Sequence, residues 1–130
     1  MADAPEKQGA ILLVEDDDFL RDILAGELAK EGFAVAVAPD GEKALAAASA
    51  HVPDLILLDL VLPGMSGFEL IAKLRQQEAT AKVPFMVLSN SAERENKQES
   101  VSLGAVGYLV KAESTPPEIV DAIKAWFAAR

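Results

Sequence analysis

LILLDLVLPG, residues 55–64, sets one carboxylate, Asp59, directly behind four apolar residues and ahead of Leu60, Val61 and Leu62. Burying an ionised carboxylate without partners costs on the order of several kcal/mol. Either the chain leaves the apolar layer at Asp59 or something nearby compensates the charge. The run before it is too short for a buried helix and shows no polar alternation, which is how a parallel strand covered on both faces reads. The fold turns on whether the chain contains other runs of this kind.

AILLV (10–14), FAVAV (33–37), PFMVL (84–88) and VGYLV (106–110) join DLILL (54–58) as five predicted strands. The segments between them have helical period, so the pattern predicts an α/β fold with a parallel sheet. The first helix puts Leu20, Ile23, Leu24 and Leu28 on one face, with Gly32 just past its end as the expected left-handed cap. The second starts near Asp40 and buries Ala44, Leu45 and Ala48. Ser66 with Glu69 predicts a capping box for the third, which presents Leu70, Ile71 and Leu74. Thr115, Pro116 and Glu118 do the same for the fifth, which packs Ile119, Ile123 and Trp126 or Phe127. The fourth, near 92–102, is polar all round in AERENKQES and offers only Val101 and Leu103 to a core, so it is weakly held. Gly64 and Gly67 read as turn residues.

The 130 residues are 51% hydrophobic and 25% charged, as expected for one globular domain. MADAPEKQG (1–9) reads as a flexible N-terminal tail and 10–130 as that domain. There is no cysteine, which excludes disulfide and thiolate chemistry. No stretch approaches a membrane span or a signal core, so the expected location is cytoplasmic and no membrane partner is expected. A net charge of −9, from 21 acidic and 12 basic residues, opposes direct contact with nucleic acid. An output domain, if one exists, is expected on another chain or on a part of the protein not included in this sequence.

The residues just past the strand ends carry the chemistry. Strand one runs into Glu15, Asp16, Asp17 and Asp18, strand three into Asp59, strand four into Ser89 and strand five into Lys111. Parallel strands all end on one rim, where ligands bind, so these residues converge there. One of Asp17 and Asp18 is expected to cap the first helix. Glu15, Asp16 and Asp59 supply three negative charges against one positive charge from Lys111, and the excess is expected to raise carboxyl pKa values through repulsion. A divalent cation removes that excess. With oxygen donors only, and the single histidine, His51, elsewhere, a hard ion such as Mg2+ fits better than Zn2+. A carboxylate beside a metal, an ammonium and a hydroxyl is equipment for receiving a phosphoryl group.

ILLVEDD (11–17), LILLDLVLPGMSG (55–67), VLSNSAE (87–93) and GYLVKA (107–112), in that order and at these separations, resemble the receiver domain of two-component response regulators over residues 10–128. The resemblance implies a flavodoxin-like three-layer sandwich with five helices and strand order 2-1-3-4-5. It implies a phosphoacceptor at Asp59 and Mg2+ held by Glu15, directly or through water, Asp16, Asp59 and the Val61 carbonyl. It also makes Ser89 the switch hydroxyl, Lys111 the phosphoryl-pairing lysine, and Tyr108 the aromatic that follows the switch. The implied partners are a histidine kinase or histidine phosphotransfer protein as donor and a downstream protein on the face of helix four, strand five and helix five. The same face is open to homodimer formation.

The sequence departs from the family pattern at three places. Asn90 stands where a small residue is usual and is expected to narrow access to the site. Ala112 stands where a proline with a cis peptide is usual; a non-proline cis bond costs ~2.5 to 4 kcal/mol, so a trans Lys111–Ala112 bond is expected. Val61 and Ser91 occupy the positions that tune hydrolysis, and Val61 offers an attacking water no hydrogen bond, so slow dephosphorylation is expected. Two rival readings remain: an interaction module of receiver fold that does not use phosphorylation, and an aspartyl-nucleophile phosphatase. The second is disfavoured because the position two after Asp59 is Val61 rather than an acid. On the main reading the protein is a phosphoryl acceptor without independent turnover.

Overall fold

A computed structural model describes residues 9–90 and 94–130. Five strands, β1 (Ala10–Val14), β2 (Ala34–Ala38), β3 (Leu55–Leu58), β4 (Phe85–Ser89) and β5 (Gly107–Val110), form one parallel sheet in the order β2-β1-β3-β4-β5. Helices α1 (Asp18–Lys30), α2 (Gly41–Ala50), α3 (Gly67–Arg75), α4 (Arg94–Ser102) and α5 (Pro116–Ala128) connect and flank them. Among the described residues no helix is long and apolar enough to cross a membrane.

Strand alternation divides the core in two. Leu12, Val14, Ile56, Leu58, Phe85 and Val87 face Ala44, Ala48, Leu70, Ile71 and Leu74 from α2 and α3. Ile11, Leu13, Leu55, Leu57, Met86 and Leu88 face Leu24, Leu28, Ile119, Val120 and Ile123 from α1 and α5. Each fully buried leucine contributes roughly 1.5–3 kcal/mol of transfer free energy, and this two-sided burial is why the strands lack a polar face. Val14 pairs with Ala38 and with Leu58, and Leu58 with Val87, so the strand ends line up on one rim.

Most boundaries fall within a residue of the sequence expectation, with informative shifts. Phe33 is not in β2: its N–H donates to Leu28 O at 3.2 Å and closes α1 after Gly32, whose φ is +96°. Ala34 starts the ladder instead, donating to Gly9 O at 2.9 Å. Asp54 precedes β3 and accepts from Ala10 N through its carboxylate at 2.8 Å. At the other end Ser89 is the last residue of β4 rather than the first after it. Ser66 and Thr115 cap α3 and α5 as expected; of the two candidates Asp17 and Asp18, Asp17 caps α1, and Asp40, near which the sequence predicts the start of α2, is its N-cap. Both halves of a capping box are present at α5, whereas at α3 the Ser66 half is the one seen, accepting from Glu69 N at 3.1 Å.

Helix α4 differs from its reading. Val101 and Leu103 do not supply its core contacts; they are 68% and 39% exposed. Ser100 is the buried residue of this helix, its Oγ donating to Asn96 O at 2.8 Å. Val101 is rotated about 100° from it around the helix axis and so faces away. The expected start of this helix, near residue 92, lies outside the described residues, as do Ser91 and residues 1–8 of the expected tail.

Candidate functional site

Four chain segments meet at the C-terminal rim. Val14 of β1 passes directly into Glu15, whose N–H donates to Ala38 O at 3.0 Å, and Asp59 N donates to Val14 O at 3.1 Å, so both acids are fixed by the last rungs of the sheet. Ser89 is fully buried at the end of β4, and its register partner Val110 leads into Lys111. Lys111 opens a 3-10 turn over Lys111–Glu113, and the peptide joining it to Ala112 is trans, as the absence of proline predicts.

Lys111 binds the acids together. Its Nζ lies 2.6 Å from Asp59 Oδ2 and 2.6 Å from Glu15 Oε1. The other Asp59 oxygen, Oδ1, accepts from Val61 N at 3.1 Å, and Glu15 Oε2 accepts from Asp17 N at 3.0 Å. These donors explain how Asp59 can interrupt an apolar run. It is 5% exposed, yet each of its carboxylate oxygens has a donor, so burial does not leave the charge uncompensated. Glu15 Oε1 is different: it is buried, and despite the short ion-pair distance it receives no aligned hydrogen bond.

Burial pushes the Glu15 carboxyl above its ordinary value; pairing with Lys111 and the Asp17 N–H oppose this only in part, and repulsion from Asp59 is the smallest influence. The sequence expectation of repulsion as the main cause is therefore corrected to desolvation. Burial alone would lower the Lys111 pKa, but its pairing with the Asp59 and Glu15 carboxylates outweighs that and raises it.

Carboxylate oxygens of Glu15, Asp16 and Asp59 lie within 4.8 Å of one another, with Glu15 and Asp59 buried and Asp16 exposed. Three hard donors with only one cation among them, and one buried oxygen without an aligned donor, fit a hard divalent ion. His51 is the exposed C-cap of α2 and no member of this cluster, as expected.

Of the remaining expected residues, Tyr108 is half-buried against the α2/α3 side of the core, with Lys97 Nζ 5.7 Å from its ring centre. Val61 is 72% exposed and Asn90 is exposed.

Two residues of the site escape a reading of the sequence. Gly67 is not a turn residue like Gly64, whose φ is +79°; it opens α3, and a Cβ there would lie 2.5 Å from Asp59 O and 2.8 Å from Leu60 Cα. Arg21 of α1, a side chain only 15% exposed, donates from Nη1 to Glu15 O at 2.9 Å and pairs with Asp18. A visible signal for Arg21 is its (i, i+3) spacing from Asp18; for Gly67 the signals are its place directly after the Ser66 cap and at the end of the stretch 55–67, neither of which shows the close approach to Asp59 O.

A family profile described as "Response regulator receiver domain" matches residues 11–124. The phosphate regulon transcriptional regulatory protein PhoB of Rhizobium meliloti (strain 1021) is 37% identical over 115 residues, covering 88% of this chain and 50% of that protein. The chain thus spans about half the length of the curated relatives of this type that it matches. Among solved structures, the chemotaxis response regulator CheY4 of Vibrio cholerae superposes with a TM-score of 0.81 at 32% identity, covering 89% of this chain and 96% of that one. The receiver domain of a sensor histidine kinase from Pseudomonas aeruginosa PAO1, solved with a magnesium ion in its active site cleft, gives 0.79 at 28% identity, covering 92% and 98%.

Proposed function

The chain belongs to the response regulator receiver domain family of two-component signalling, and from that membership we propose that Asp59 accepts a phosphoryl group from a phosphohistidine on a histidine kinase or phosphotransfer protein. The observation that carries this is the single ammonium of Lys111 held 2.6 Å from both Asp59 and Glu15, within a cluster of three carboxylates. Glu15, Asp16, Asp59 and the Val61 carbonyl would hold Mg2+, which when bound neutralises charge on the transferring phosphoryl oxygens. An Asp59 carboxylate oxygen attacks phosphorus, and the P–N bond breaks with its electron pair left on the donor imidazole. Lys111 offsets the charge the phosphoryl group brings, and the Ser89 hydroxyl donates to it. The domain supplies positioning and charge, with no turnover of an independent substrate.

The phosphoryl charge then biases a two-state surface. Ser89 turned toward the phosphoryl group opens space for the Tyr108 ring, which packs partly in the core. Helix α4 buries only Ser100 and on that ground is weakly held. The face of α4, β5 and α5 therefore meets the downstream protein or a second copy of the chain. Residues 10–130 are taken as the receiver domain, working in the cytoplasm. The −9 charge speaks against this domain touching nucleic acid itself; the relatives named as transcriptional regulators are about twice its length.

Incubation with Mg2+ and a small acyl-phosphate donor tests the reading by intact mass. A stable gain of one phosphate, absent in Asp59→Asn, supports it. Steady release of phosphate at catalytic rates would instead favour an aspartyl phosphatase, and no adduct would favour an interaction module.

A further inference from the structure

The acidic run EDDD, residues 15–18, divides into separate tasks. Glu15 and Asp16 belong to the cluster, and Asp17 Oδ1 accepts from Leu20 N at 3.0 Å as the α1 cap. Asp18, 85% exposed, holds Arg21 at 2.5 Å. Arg21 itself is mostly covered, and its Nη1 donates to the main-chain oxygen of Glu15 at 2.9 Å. That oxygen is part of the peptide joining Glu15 to Asp16, so a rigid planar guanidinium fixes the plane from which both acids project.

We propose that Arg21 is a positioning residue for divalent-cation binding: it clamps the Glu15–Asp16 peptide so that the two carboxylates keep their separation from Asp59 without the clamp itself touching the ion. This rests on the magnesium reading above. Glu15 is also held through its N–H by Ala38 O, through Oε2 by Asp17 N and through Oε1 by Lys111 Nζ at 2.6 Å, while Asp16 is exposed and directly follows the peptide that Arg21 grips. Asp18 has a second effect. It neutralises the guanidinium, so the clamp adds no net positive charge beside a site meant to attract a cation. Lysine would carry the charge but not the fork, since one ammonium cannot address the carbonyl and Asp18 in the same fixed plane.

Magnesium affinity measured by calorimetry on the native chain, Arg21→Met and Arg21→Lys tests this, with the thermal midpoint without metal as the companion readout. Arg21→Met keeps an aliphatic stem and should weaken magnesium binding by roughly tenfold, in the range found when groups that orient ligands are removed. Arg21→Lys should recover part of the affinity. A purely structural arginine would lower the thermal midpoint and leave the affinity of the folded protein unmoved, and that result overturns the proposal. If Arg21→Met does not fold, a native-like affinity in Arg21→Lys overturns it equally. Failure of the native chain to bind magnesium would remove the proposal together with the metal reading, whereas native binding with unchanged variants removes this proposal alone.

Discussion

Lys111 Nζ sits 2.6 Å from Asp59 Oδ2, joining residues 52 positions apart in sequence on one rim of the sheet. The pair is buried, Lys111 at 14% and Asp59 at 7% side-chain exposure, and Glu15 Oε1 shares the same ammonium. One cation among three carboxylates leaves the site short of positive charge by two, and that shortage governs how it responds to substitution and to pH.

Replacing Lys111 with methionine leaves Glu15 and Asp59 facing each other with no counter-ion. Breaking a buried pair by removing one partner costs about 3–5 kcal/mol when nothing relaxes. Here water and protonation of Glu15 reduce it, so a loss of roughly 1–3 kcal/mol is expected in urea unfolding at neutral pH without divalent ions. Added Mg2+ should restore part of it. Unchanged stability in metal-free buffer would show that the pair is not a native-state contact.

The same lysine sets an alkaline limit. Its folded pKa is raised above the ordinary 10.5, so its contribution is fully present below that value and is lost as pH rises through the folded value. The native chain should therefore lose stability above about pH 10.5 in excess of Lys111→Met. Parallel pH profiles for the two proteins in that range would contradict the assignment.

Gly67→Ala probes the close approach of α3 to the acceptor. The new methyl would lie 2.5 Å from Asp59 O, so the loop or the helix must shift. Overpacking of this kind costs about 1–3 kcal/mol, and because the backbone that moves carries Asp59, magnesium affinity should fall with it. Gly64→Ala meets no neighbouring atom and should strain only its own φ of +79°. Chemical denaturation and calorimetry on both variants distinguish the two effects.

The apolar runs with Asp59, Ser89 and Lys111 at their ends are legible in the sequence because a parallel sheet delivers all its strand ends to one side, so topology alone brings the site together. Helix α4 is less legible: Val101 and Leu103 are the large apolar residues it has on offer, while the structure buries Ser100 with its hydroxyl satisfied by its own helix. Phe33 reads as a strand residue by its side chain, but its N–H is committed to closing α1. Gly67 and Arg21 act at backbone oxygens, Asp59 O and Glu15 O; the spacing of Arg21 from Asp18 shows the ion pair, but the contacts with those oxygens leave no trace in periodicity or charge pattern.

Phosphorylation at Asp59, as proposed, predicts that Val61 lengthens the lifetime of the phosphorylated form. The residue is 72% exposed, so Val61→Asn sacrifices little packing and gives a clean comparison. An amide there can orient an attacking water but cannot take its proton, so hydrolysis of the aspartyl phosphate should speed up by about tenfold, less than a general base provides. Equal decay rates in the two proteins, followed by intact mass after donor removal, would contradict this.

The most direct test of the account is to locate the phosphoryl group chemically. After reaction with a phosphorylated donor in Mg2+, borohydride reduction converts an aspartyl phosphate to homoserine, which peptide mass mapping assigns to one position. Phosphoryl transfer to Asp59 predicts homoserine at position 59, and none when Mg2+ is chelated beforehand. Homoserine at position 16, or a phosphate on a serine with position 59 unaltered, would contradict it.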